Sequence, residues 1–61
     1  MNVDQHIARR IRALRKSHEL TLDRLSELSG VSRSTISSIE RNETSPTAAV
    51  LNKLADALGV S

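Results

Sequence analysis

"GVSRSTISSIERN", residues 30–42, decides the fold. From Ser32 to Ser38, five of seven residues are serine or threonine. Their hydroxyls compete for nearby backbone groups, which makes them indifferent helix formers. By composition the stretch reads as a loop. Yet Ile36 and Ile39 stand three apart, the spacing of one buried helical stripe. Ser32 resolves the conflict, because a serine just ahead of an apolar-periodic run is an N-cap. Val31 and Ile36 then have the spacing of a hydrophobic staple. The first serine of the run therefore starts a helix, predicted over Arg33–Arg41. Asn42 tolerates positive φ and can end it.

The same grammar extends upstream. Thr21 is the candidate N-cap of a helix over Leu22–Ser29, with Asp23 in the first turn to suit the helix dipole. Leu20 and Leu25 are placed for a staple. Leu22, Leu25 and Leu28 form the expected buried stripe, and Gly30 the left-handed C-cap. Earlier still, Val3, Ile7, Ile11 and Leu14 recur at i, i+4, i+8 and i+11. They predict a helix that fades near Ser17–His18, with Asn2 and Gln5 at capping-box spacing. Downstream, "ETSP" is a short loop. Thr47, or Ser45 with Pro46 at the first helical position, caps a last helix. There Leu51, Leu54, Ala55 and Leu58 recur at i, i+3, i+4 and i+7, and Gly59 closes the helix. Val60 and Ser61 then look like the approach to a further helix. Two readings of that ending stand: a domain cut from a longer protein, or a frayed natural terminus.

Composition narrows the functional classes. Sixty-one residues make one domain, which buries only about 60% of its unfolded surface. Without cysteine there is no disulfide and no thiolate metal site, which fits a cytoplasmic setting. No apolar run is long enough for a membrane span, and no secretory block follows the N-terminal charges. The absence of aromatic residues removes stacking platforms for single-stranded bases. An enzyme is not expected. His6 and His18 lack a ligand partner, and Asp23 and Glu27 read as a solvated acidic edge. There is no glycine-rich phosphate loop and no cysteine nucleophile. The net charge of +2 is unevenly spread. Residues 1–18 hold Arg9, Arg10, Arg12, Arg15 and Lys16 against Asp4, whereas residues 19–43 hold three cations against five acids. The bland account of the first group is a solvated arginine-rich face; the other is attraction to a polyanion.

Two short helices flanking a turn at Gly30 form a helix-turn-helix arrangement. An ordinary helical hairpin is the alternative. Gly30 supplies the turn, Ser26 is small enough for close helix contact, and Leu25, Val31, Ile36 and Ile39 lock the second helix across the first. On a wheel of 100° per residue, Ile36 and Ile39 mark the inward side of the second helix. Ser34, Ser37, Ser38 and Arg41 point nearly opposite, with Arg33 and Thr35 on the shoulders. That outward face is small, hydroxylated and flanked by arginines. A helix enters the DNA major groove when its leading face is not bulky, and base edges are read there by hydrogen bonds. Arg33 has the fork for guanine O6 and N7; the competing roles are a phosphate contact or a free surface charge. Glu40 points the other way, near a helix C-terminus where negative charge is disfavoured. It calls for a cation, and Arg15 is the candidate.

"LRK", "LT", "L..LSG.S.STIS.IERN", "PT" and "L.KLADALGV", in order and at fixed spacing from about Ile7 to Ser61, resemble the XRE/Cro-type helix-turn-helix repressors. The resemblance implies an all-α, lambda-repressor-like bundle that binds a double-stranded DNA operator, commonly as a homodimer, with no cofactor. By position it implies base or near-base contacts from Arg33, Ser34, Thr35, Ser37 and Ser38. Thr21 and Leu22 would offer backbone amides to phosphate, and Arg41, Asn42 and the Pro46–Thr47 segment would flank the DNA backbone. It also implies a structural ion pair between Arg15 and Glu40. Ser26 stands where the family usually has alanine, and Asn42 where glycine is common. The family bundle usually has five helices. Four are expected here, with the fifth missing and a C-terminal sensor domain conceivable in a longer chain. The expected function is cytoplasmic transcriptional regulation, of the bacterial or phage type and repressor-like. A second reading is a protein-interaction module on the same fold, such as an antitoxin or coactivator bridge. It would use the outer face of the last helix at Ala48, Ala49, Asn52 and Asp56.

Overall fold

A computed structural model describes residues 3–60, with side chains from Gln5 onward. The expectations for Asn2, the Val3 side chain and Ser61 lie outside the described residues. Four helices follow one another: α1 (Val3–Ser17), α2 (Leu22–Ser29), α3 (Arg33–Glu40) and α4 (Ala48–Ala57). No strand occurs among the described residues.

Side-chain caps start three of the helices. The hydroxyls of Thr21, Ser32 and Thr47 accept from the amides of Arg24, Thr35 and Val50 at 3.0, 3.2 and 3.1 Å. Each cap satisfies one of the amides that a helix start leaves without a partner. Thr47, not Ser45, opens α4. Three helix ends share one hydrogen-bond pattern, in which two successive amides reach back across the last turn. They are Glu19 to Lys16 and Leu20 to Arg15, Asn42 to Ile39 and Glu43 to Ser38, and Gly59 to Asp56 and Val60 to Ala55. The pivot of each has positive φ: 56° at Glu19, 59° at Asn42 and 73° at Gly59. Glycine is free there and asparagine tolerant, whereas Glu19 holds a conformation that side chains disfavour. Nothing in its residue type signals that turn. Gly30, φ 75°, ends α2 with its amide on the Ser26 carbonyl. The second helix of the pair stops one residue short of the sequence expectation, and Arg41 becomes its C-cap.

One apolar cluster joins all four helices: Ile11, Leu25, Val31, Ile36, Ile39, Leu54 and Leu58. Leu25 and Ile36 are fully buried, Ile39 and Leu54 nearly so. Each such side chain contributes roughly 1.5–3 kcal/mol by leaving water. α2 packs on both α3 and α4, and α1 packs on α3. The expected Leu22–Leu25–Leu28 stripe is corrected at one end. Leu22 is half-buried, but Leu28 is 47% exposed. Leu22 and Leu28 flank Leu25 at about 60° on opposite sides of the helix, and packing covers only the Leu22 flank. Conversely, Ala8 is buried although it falls outside the large-residue stripe of α1. Between α1 and α4 the core opens into a groove of about 220 Å³ walled mainly by Ile7, Ile11, Leu14, Leu51, Leu54 and Leu58.

Candidate nucleic-acid interface

α3 is held to the fold by few groups. Ile36 and Ile39 are buried, Val31 anchors the turn, and Ser32 caps the start. At the other end the Glu40 carboxylate receives a two-pronged guanidinium. Arg15 Nε donates to Oε2 at 2.8 Å and Arg15 Nη2 to Oε1 at 2.9 Å. A third bond runs from Arg15 Nη1 to the Leu20 carbonyl at 2.9 Å. Both side chains are largely covered, at 12% and 6% exposure. The hydrogen bonds to Glu40 raise the Arg15 pKa above its ordinary value and outweigh the partial burial that lowers it. Planar, two-pronged geometry is what distinguishes arginine from lysine in such a pair. One side chain thus ties α1, the turn after it and the C-terminal end of α3.

What remains of α3 faces outward. Arg33 and Ser34 are exposed, as are Arg41 and Asn42 just beyond the helix. Thr35, Ser37 and Ser38 are half-buried, so the hydroxyl face is less open at its centre than the wheel predicts. Ser32 spends its own hydroxyl proton on Thr35 Oγ1 at 2.7 Å. The Thr35 hydroxyl therefore keeps its donor for an outside acceptor. Thr21 and Thr47 are exposed and Leu22 half-buried. Thr21 and Leu22 sit where the first amides of α2 lack intrahelical partners.

Charge placement departs from the sequence expectation. Arg33 Nε lies 2.9 Å from Asp23 Oδ1, Arg41 Nη2 lies 2.9 Å from Glu43 Oε1, and Arg24 Nη1 lies 3.7 Å from Glu27 Oε2. Each exposed arginine of α2, α3 and its cap therefore has an acid beside it. Asp23 and Glu27 are partners of two different arginines rather than one acidic edge. Among the described residues, the cations outside any ion pair are Arg9, Arg10, Arg12 and Lys16 on α1 and Lys53 on α4. Pairing across the turn depends on how α3 crosses α2, and residue spacing along one helix does not report it. No cluster of His, Cys, Asp or Glu that could hold a metal occurs among the described residues. No described helix is long and apolar enough to cross a membrane.

A capped helix carried across a glycine turn on a second helix, its core side fixed and its polar side open, defines a helix-turn-helix domain. The Helix-turn-helix (HTH_3) family model matches residues 11–61. The chain is 41% identical over 59 residues to the HTH-type transcriptional regulator SutR of Escherichia coli (strain K12), an alignment covering 97% of this chain and 33% of that protein. It is 39% identical over 54 residues to the immunity repressor protein of Bacillus phage phi105, covering 88% and 38% of the two chains. Identity to control protein C.SmaI of Serratia marcescens is 36% over 61 residues, with 100% and 73% covered. A crystal structure of an HTH_3 family transcriptional regulator from Vibrio cholerae superposes with a TM-score of 0.91 at 45% identity, covering 95% of this chain and 33% of that one. The chain belongs to the HTH_3 helix-turn-helix family, and its fold is all-α. It spans about a third of the Escherichia coli regulator.

Proposed function

We propose that this chain is a sequence-specific, double-stranded DNA-binding domain of a transcriptional regulator, acting as a repressor through insertion of α3 into the major groove. The observation that carries the reading is the division of α3. Ile36, Ile39 and Glu40 hold it to the body, while its other face presents small hydroxyls and an exposed arginine. Arg33, Ser34, Thr35, Ser37 and Ser38 meet base edges, and Arg33 takes guanine O6 and N7. Thr21, Leu22, Arg41, Asn42 and Thr47 meet the sugar–phosphate backbone, Thr21 and Leu22 through backbone amides at the start of α2. Kinship with a phage immunity repressor and a transcriptional regulator supports the same reading. The 61 residues act as one domain of a longer cytoplasmic regulator. A homodimer sets two copies of α3 about 34 Å apart, one duplex turn, on a palindromic site.

Selection from a randomised duplex pool tests this, followed by titration of the selected site at several salt concentrations. The expected outcome is an enriched palindrome and a log–log salt slope of about −0.9 per phosphate contacted. A pool without enrichment, or binding indifferent to salt, overturns it.

A further inference from the structure

The Asp23–Arg33 pair joins the first turn of α2 to the start of α3 beside the proposed interface. Its side chains are 76% and 62% exposed, so it does little for stability. Asp23 is also badly placed for a protein that approaches phosphate through the start of α2, because it adds a negative charge there. Its place in the first turn suits the dipole of α2, and the contact with Arg33 gives it a second use. Asp23 Oδ1 engages Arg33 through Nε, at 2.9 Å. An arginine guanidinium is planar and carries five N–H donors. A contact at Nε lies on the side of the guanidinium, away from the edge formed by the two terminal nitrogens, Nη1 and Nη2. That edge is one that can span guanine O6 and N7.

We propose that Asp23 is a positioning residue for base readout. It holds Arg33 from α2 so that the terminal edge of the guanidinium is presented to a guanine. The role rests on the reading of Arg33 as a base contact. A long arginine side chain is otherwise distributed over many rotamers, and fixing it beforehand lowers the entropy lost on binding. The gain falls on the guanine that the fixed edge fits, so it appears as discrimination rather than as general affinity.

Four forms of the chain are carried through selection from duplexes with roughly 20 random base pairs, enough for two half-sites one turn apart. They are the unsubstituted chain, Arg33→Ala, Asp23→Ala and Asp23→Asn. Binding is then measured on the selected duplex with each of the four bases at the guanine position, and far-ultraviolet circular dichroism checks the fold of each form. Arg33→Ala is expected to lose the guanine preference. Asp23→Ala keeps its fold and its other base preferences, but its guanine preference falls about three- to tenfold, part of the roughly 5- to 150-fold that a bidentate contact supplies. Asp23→Asn, which keeps an oxygen acceptor, recovers a large part of it. Undiminished preference in Asp23→Ala beside its loss in Arg33→Ala overturns the role of Asp23 and leaves that of Arg33 standing. Binding of Asp23→Ala that tightens equally on all four duplexes also overturns it, since Asp23 then acts only by repelling phosphate. Asp23→Asn as relaxed as Asp23→Ala overturns positioning through the Asp23 oxygen. A guanine preference unchanged in Arg33→Ala, or no guanine enriched by the unsubstituted chain, overturns the base contact and the positioning role together.

Discussion

Arg15 concentrates more of the fold in one side chain than any other polar residue described. Its three hydrogen bonds join α1, the turn after it and the end of α3. The contact unites the two residues that charge placement singles out, since Glu40 stands where a helix C-terminus disfavours an acid. The bond to the Leu20 carbonyl had no counterpart in the sequence, because it depends on Glu19 taking a left-handed turn. Arg15→Ala strands a covered carboxylate and is expected to cost about 3 kcal/mol. At about 4–8 °C per kcal/mol for a small domain, the thermal midpoint falls by more than about 10 °C. Arg9→Ala, at an exposed position outside any ion pair among the described residues, stays within about 0.5 kcal/mol. Equal midpoints for the two variants would remove the pair from the stability of the fold. Combining Arg15→Met with Glu40→Leu recovers much of the loss, because no buried charge is then left alone.

At the level of helices, starts were more legible than ends or faces. Thr21, Ser32 and Thr47 announce themselves, since a hydroxyl before an apolar-periodic run has one efficient use. Ends are set by backbone turns that glycine signals and glutamate does not, which is why Gly30 and Gly59 were readable and Glu19 was not. Faces fail where a helix has two neighbours. Leu28 has the same spacing from Leu25 as Leu22 has, and only the placement of α3 and α4 decides which is covered. Ser32→Ala is expected to lower stability by about 1 kcal/mol, as cap losses do. It also frees Thr35, whose amide and hydroxyl both meet the Ser32 oxygen. Chemical denaturation measures the first effect. A midpoint unchanged from that of the unsubstituted chain would mean that Ser32 does not hold the start of α3.

For the molecule as a whole, the small core sets the terms. A chain of this size is stable by only about 3–9 kcal/mol at 0.05–0.15 kcal/mol per residue. Ile36→Ala removes a fully buried side chain at a cost of about 2–5 kcal/mol. The expected outcome is a weak, broadened thermal transition, and a sharp one near the original midpoint would mean that the core closes over the gap. The all-α bundle and the helix-turn-helix were legible because helical spacing runs through every apolar segment. The pairing of exposed arginines with acids was not, because it is settled by how the helices cross. That crossing also bears on adaptation. Since α3 is fastened by Ser32, Ile36, Ile39 and Glu40, its exposed positions Arg33 and Ser34, with the cap Arg41, lie apart from the interior. Exchanging Arg33, Ser34 and Arg41 as a set leaves the fastening untouched. The body becomes a mount on which a new address can be written, by selection in nature or by grafting in the laboratory. Asp23 must be rewritten together with Arg33.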